Sequence, residues 1–204
     1  MIYELRTYTL KVRALDTVNK MFAERIAHRV KYSPLAGYWY TDIGPLNQIV
    51  HIWPYQDLAE RAKVREAFAK DPNWPPPILE HIVKMESDLI VPFYAHNDLK
   101  PAKLGPFYEL RSYILHPGTT PKLKEAWLQK IEGRSKMTPA LLAGTTEFGE
   151  LNKLIHIWPY ESLEQRSATR KKAVETGTWP PDTGHLIMDM QNKIMMPAPF
   201  SPLQ

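Results

Sequence analysis

The 204-residue chain contains no cysteine. That excludes a disulfide framework, a thiolate zinc site, an iron–sulfur cluster and a cysteine nucleophile together, so any chemistry falls to His, carboxylates, Tyr or Arg. Glycine is scarce, nine against nineteen prolines, which favours rigid turns over flexible connections. No run approaches the roughly 18 apolar residues of a membrane-spanning helix. Met1 to Arg6 has neither the basic start nor the apolar core of a secretory signal, so no membrane partner and a cytoplasmic location are expected. An excess of one charge is lacking as well. The 26 Lys and Arg against 22 Asp and Glu leave +4, and basic residues alternate with acidic ones in stretches such as Glu60 to Lys70. Such mixing is that of a solvated helix face, and no nucleic-acid partner is expected.

What is present is the balance of a globular protein, 44% hydrophobic and 24% charged. The chain also repeats itself. Tyr3 to Tyr8 (YELRTY) recurs at Tyr108 to Tyr113 (YELRSY), and Leu46 to Leu58 recurs at Leu151 to Leu163, including His-Ile-Trp-Pro-Tyr at 51–55 and 156–160. Trp74, Pro75 and Pro76 recur at Trp179, Pro180 and Pro181, all at the single offset of 105 residues. One gapless offset over separated blocks means two copies of one unit, here 1–94 and 107–204 with a Pro- and Gly-bearing linker at 95–106.

Periodicity gives the elements of one copy. Tyr3, Leu5 and Thr7 alternate with Glu4, Arg6 and Tyr8, a strand with two chemically different faces. Leu15, Val18, Phe22, Ile26 and Val30 fall at helical spacing, which predicts a helix over about 14–32, stopped before Pro34. Tyr38 to Ile43 and Asn47 to Trp53 read as a hairpin turned at Gly44 and Pro45. Asp57 with Glu60, and Ser162 with Gln165, are capping-box signatures that begin a second helix running to about residue 70. A last strand covers about 83–91 and ends at Pro92. The order strand, helix, strand, strand, helix, strand is the ferredoxin-like split βαβ unit, whose helices cover one sheet face and leave the other bare. Two bare faces in one chain can bury each other. The expected fold is α+β: two ferredoxin-like βαββαβ repeats forming an intramolecular pseudo-dimeric α+β barrel with its helices outside.

The Tyr3–Tyr8 strand, the Leu46–Trp53 strand with Tyr55 after it, and the Trp74 block resemble the NIPSNAP family, and the second copy carries the same signatures from Tyr108, Leu151 and Trp179. The resemblance spans nearly the whole chain. It implies the dimeric α/β-barrel superfamily in tandem form, and little about activity. Relatives in that wider superfamily include cofactor-independent quinol-type monooxygenases and haem enzymes.

Alternation then sorts the site candidates. With Leu5, Val50 and Ile52 packed on the helices, Glu4, Arg6, Tyr8, Asn47, His51 and Trp53 point into the barrel, and Glu109, Arg111, Tyr113, Asn152, His156 and Trp158 point in from the other sheet. First and third strands are neighbours, so Glu4, Arg6 and His51 lie within cross-strand reach. Such a network either satisfies buried charges structurally or lines a small-molecule cavity. His51 and His156 are the candidate catalytic residues, as proton carriers, with Glu4 placed to orient His51 and raise its pKa. The other ten are ligand-binding candidates, Arg as a carboxylate clamp and Trp with Tyr as walls for a planar ligand. One His per half without a companion at i+2 or i+4 is poor metal spacing, so neither metal nor cofactor is expected. Tyr38, Trp39 and Tyr40 are matched by Ala143, Gly144 and Thr145 in the second copy, which predicts the larger space, and the working histidine, beside His156. Two functions follow: a small-molecule enzyme, a cofactor-independent monooxygenase or isomerase acting on an aromatic or quinone-like substrate, or a non-catalytic binding or scaffold protein with a filled barrel. A cavity above about 300 Å³ would favour the first. Homo-oligomers of such pseudo-dimeric chains are compatible with either.

Overall fold

A computed structural model describes residues 1–204. The first unit runs β1 (Ile2–Leu10), α1 (Leu15–Arg29), β2 (Gly37–Ile43), β3 (Gln48–Tyr55), α2 (Leu58–Phe68) and β4 (Ile82–Ala95). The second runs β5 (Phe107–Leu115), α3 (Thr120–Leu128), α4 (Ile131–Ser135), β6 (Leu142–Phe148), β7 (Lys153–Tyr160), α5 (Leu163–Glu175) and β8 (Ile187–Pro197). Each element expected in the first copy is present. The first helix of the second copy is broken at Gln129 and Lys130, so two short helices stand where α1 is continuous.

The capping boxes form as read. Asp57 accepts from the Glu60 amide at 2.8 Å and the Glu60 carboxylate returns to the Gln56 amide. In the second copy Ser162 accepts from the Gln165 amide at 3.0 Å, and the Gln165 side chain accepts from the Glu161 amide at 2.9 Å. These bonds satisfy donors that the first helical turn leaves free.

All pairings are antiparallel, and the strands close into a barrel in the order β1-β3-β2-β8-β5-β7-β6-β4. Each half contributes one four-stranded ferredoxin-like sheet, and the halves are stitched at two seams, β2 with β8 and β4 with β6. Closure leaves no sheet edge along the seams and lengthens β4 beyond the 83–91 expected of it. β4 continues past Pro92 to Ala95 because β6 lies beside it, and a register shift between Pro92 and Tyr94 accommodates the missing amide hydrogen of proline. The stretch 96–106 is no loose linker. Leu99 is buried in the barrel core, and Ala102 bridges Leu203, so linker and C-terminus together close one barrel end.

The two faces of each sheet are the reverse of the expectation. Leu5, Val50 and Ile52 point into the barrel, where they meet Leu110, Ile155 and Ile157 from the opposite sheet, with Trp39 and Tyr108 between them. Tyr8, Ile49 and Trp53 lie on the outer face, under α1 and α2, with Val18 and Phe22. Glu4, Arg6 and His51 share that outer face by alternation. The physical reason lies in the helices. Only Val64 of α2 is buried, and the helix presents Arg61 and Arg65 to the sheet, so the carboxylate they need must stand on the face that the helix covers.

Candidate functional site

Each half holds a pocket between its sheet and its helices. In the first, Glu4 on β1 is 1% exposed, and one carboxylate serves several donors. Arg6 Nη1 donates to Oε1 at 2.8 Å, Arg61 Nη2 at 2.8 Å and Ser87 Oγ at 2.8 Å, while Arg61 Nε donates to Oε2 at 3.1 Å. Burial would raise the Glu4 pKa. The hydrogen bond from Arg61 and the charge of Arg6 outweigh it and hold the carboxyl at about 2, so it is ionised and fully engaged. Arg6 Nε also donates to Tyr8 Oη at 2.7 Å.

His51 lies opposite Arg6 across the β1–β3 ladder. Its Nδ1 accepts from the Trp53 indole at 2.6 Å, and its Nε2 is buried without a partner. An indole N–H only donates, so Nδ1 carries the lone pair and Nε2 the hydrogen. Burial is the main reason the imidazole is neutral, with its pKa pulled down to about 3; Arg6 adds to this and Glu4 opposes it. Glu4 therefore does not orient His51, because its oxygens are taken by arginines and Ser87, and its charge offsets only part of the lowering of the imidazole pKa. Tyr38 stacks on the ring, 5.8 Å between centroids and 13° between planes. His51 is thus a fixed hydrogen-bond donor whose only lone pair is occupied.

The deepest cation was missed by sequence reasoning. Arg29, at the end of α1, is 2% exposed and has no acidic partner. It donates to Ser33 Oγ at 2.8 Å and Tyr55 Oη at 2.9 Å and lies 4.1 Å from the Trp53 ring centre and 4.4 Å from that of Phe68. Arg65 is the third arginine of the wall. Around these donors stand Phe22, Phe68, Trp74 and Ile78, enclosing about 190 Å³. The Trp74 block is part of the wall, packed edge-on against Trp53 and Phe22.

The second half repeats the arrangement. Glu109 receives Arg111 at 2.7 Å, Arg166 at 2.6 Å and Asn192 at 3.0 Å, and its carboxyl, raised by burial but lowered more by Arg166 and Arg111, sits at about 2. His156 Nδ1 accepts from Trp158 at 2.6 Å, its Nε2 is unpartnered, and burial pushes its pKa well below the ordinary value. Arg134 is the counterpart of Arg29, bonded to Tyr160 Oη at 3.0 Å and 4.5 Å from the Trp158 ring centre. A signal for the missed residues existed: Arg29 and Arg134, Arg61 and Arg166, and Arg65 and Arg170 all recur at the offset of 105.

Two expectations fail here. The larger space lies beside His51, since the second pocket encloses about 140 Å³. The volume lost from Tyr38 to Ala143 is refilled by Trp127, which stands where Phe22 stands in the first half and packs edge-on against His156 at 4.8 Å, and by Phe93 behind it. Gly144 faces β4, where an added Cβ would lie 2.6 Å from the Val91 carbonyl, so its smallness serves the seam and opens no pocket. Asn47 and Asn152 line neither pocket. Both adopt φ of 56° at the turn into β3 or β7, and their carbonyls accept from Leu10 and Leu115 amides. They are left-handed turn residues, a conformation that asparagine tolerates.

The comparisons agree with this architecture. Human NipSnap homolog 3A is 32% identical over 216 residues, covering 100% of this chain and 86% of its own length, and human NipSnap homolog 2 is 30% identical, covering 100% and 75%. Among solved structures, a Fusobacterium nucleatum protein described as a candidate monooxygenase superposes with a TM-score of 0.69 at 14% identity, covering 97% of this chain and 92% of its own. An anthrone oxidase-like protein gives 0.58 at 10% identity, covering 96% and 90%. At such identities these two speak for the fold alone, a dimeric α/β barrel within one chain. The NIPSNAP family model matches residues 3–95 and again 108–202, so both halves are NIPSNAP domains and the chain belongs to the NIPSNAP family.

Proposed function

We propose that the first-half pocket binds a small aromatic or quinone-like ligand through an anionic oxygen, and that the chain acts as a cofactor-independent monooxygenase on it. The observation that carries this reading is the unpartnered Nε2–H of His51 in a wall with Arg6, Arg29 and Arg65, where the one carboxylate is already matched. A buried donor without an acceptor costs about 1–3 kcal/mol, and an excess of arginine over carboxylate favours an anion. Fixed donors of this kind stabilise a phenolate or enolate, the form of a quinol that gives an electron to oxygen. The isomerase reading is less well supplied, because it needs a base inside the site, and both Glu4 and the His51 lone pair are engaged, whereas a quinol can give its proton to solvent water as it binds as the anion. The volume of about 190 Å³ is below the roughly 300 Å³ that would favour an enzyme, so pocket size gives catalysis no support and the reading rests on the unpartnered donor and the arginines.

The test is a thermal-shift screen of aromatic acids, quinols, anthrones, haem and acyl ligands, followed by oxygen uptake with any that bind. A ligand at 100 times its Kd should add about 2.7 kcal/mol of stability. His51→Ala and Arg29→Met should each abolish most of that shift, and His156→Ala should leave it. No shift with any compound, or equal shifts in all variants, would return the protein to the binding or scaffold reading.

A further inference from the structure

One barrel end is closed by Leu99 and Leu203; another part of the interior, between the halves, opens into a second cavity of about 180 Å³, lined mainly by polar side chains. The sheet itself separates it from both arginine pockets. Pseudo-symmetry lets its contents be compared position by position. Asp88 on β4 stands opposite Leu5, and its counterpart Lys193 on β8 stands opposite Leu110. Gln48 at the start of β3 corresponds to Lys153 at the start of β7. In one pair Lys153 Nζ meets both Asp88 oxygens, at 3.0 and 3.1 Å. In the other, Lys193 Nζ reaches only the neutral Gln48 Oε1, at 2.9 Å, and makes no salt bridge. The position of the acid in one half holds an amine in the other, and no carboxylate lies within salt-bridge distance of that amine.

We propose that Lys193 is a carbonyl-reactive amine, forming an imine with a small polar aldehyde that enters this cavity. The Nζ lone pair adds to the aldehyde carbon, and the carbonyl oxygen then leaves as water with the two amine hydrogens, so that C=N replaces C=O with no change of oxidation state. The wall fits such a ligand: Thr7, Ser112 and Gln191 offer hydroxyl and amide groups to a short hydroxylated chain. The electrostatics agree with the geometry. Burial is the chief cause that lowers the Lys193 pKa to about 8; Glu86 opposes it, Lys153 adds to it, and Asp88 opposes it. At pH 7 about a tenth of such an amine is free, against less than one in a thousand for a lysine near 10.4.

The experiment incubates the intact protein at pH 7 with glyceraldehyde and sodium cyanoborohydride, which reduces the imine to a stable secondary amine, and maps the label by peptide mass spectrometry. Lys193 should be labelled at least tenfold faster than any other lysine. Its rate should rise to about pH 8 and then flatten while the others keep climbing. Lys193→Arg should remove the fast phase without lowering the melting temperature beyond a few degrees. The wild-type map alone decides the matter if the variant misfolds: labelling that follows surface exposure, with Lys193 no faster than the rest, overturns the proposal.

Discussion

The buried histidines make the stability of this protein depend on pH in a window that no carboxylate reaches. His51 has an ordinary value of 6.5 in the unfolded chain and about 3 in the folded one, and His156 is displaced in the same direction by the same burial. Below pH 6.5 the unfolded chain takes up a proton at each, and the native protein does not, so stability is complete above that value and falls as pH drops toward the folded pKa. At pH 5 the loss is about 2 kcal/mol for His51, with a slope between pH 6 and 5 that approaches about 1.4 kcal/mol per unit, and His156 adds a loss in the same direction. Glu4 and Glu109, held at about 2, begin to contribute only as pH falls below about 4.5. Guanidinium unfolding followed by circular dichroism at pH 7.5, 6.0 and 5.0 measures this directly, because a drop of that size is a large share of a typical 5–15 kcal/mol. His51→Gln keeps an acceptor for the Trp53 indole and removes the titration, so it should take away about one proton of linkage and leave the His156 share. An unchanged slope in that variant, or a wild type with constant stability from pH 7.5 to 5, would refute the assignment of both rings as buried and neutral.

Other perturbations test the packing and the charge network. Glu4→Ala leaves Arg6 and Arg61 without their acceptor and should cost about 3–5 kcal/mol in chemical denaturation. Gly144→Ala places a Cβ against the Val91 carbonyl and the Ile90 side chain at the β4–β6 seam, and should lower stability by about 1–3 kcal/mol. Ala143→Tyr should destabilise by a similar amount against Trp127, and adding Trp127→Phe should recover part of the loss by recreating the first half's pair of Tyr38 with Phe22. Additive losses in that double variant would show that the two positions do not share one volume.

The fold was legible because a repeat leaves little freedom. Two copies of a split βαβ unit, each with one bare face, bury that face most simply against each other, and the offset of 105 residues says that both copies are present. The orientation of the strands was not legible in the same way. In a closed barrel with helices outside, both faces of β1, β3, β5 and β7 are covered, so alternation divides their residues correctly but does not say which set faces inward. Charge appeared to be the anomaly that belonged inside. It belongs under the helices, where Arg61, Arg65, Arg166 and Arg170 supply counterions from above and the polar tips reach solvent at the pocket mouth. The arginines of α2 and α5, spaced four apart on one helix face and repeated at the offset, were the residues that could have settled it. Relative pocket size was illegible for another reason. Comparing Tyr38 with Ala143 treats one position alone, whereas volume is conserved over a cluster, and the compensating Trp127 and Phe93 come from a helix and from another strand.

Duplication within one chain also separates what is fixed from what is free. Both halves keep a carboxylate clasped by arginines, a neutral histidine held by an indole, and a buried arginine on a tryptophan ring. The apolar walls differ: Phe22 corresponds to Trp127, Tyr38 to Ala143, and Phe68 to Ala173. A network kept only to neutralise buried charge would have no use for Arg29 or Arg134, since neither has an acid to neutralise. On the proposed reading, their presence in both pockets, each beside an imidazole N–H that nothing in the protein accepts, leaves hydrogen bonds for a ligand to complete. The difference between the halves then falls on the apolar walls, which set the size and shape of that molecule, so the two pockets should select different ligands by shape while recognising the same charge.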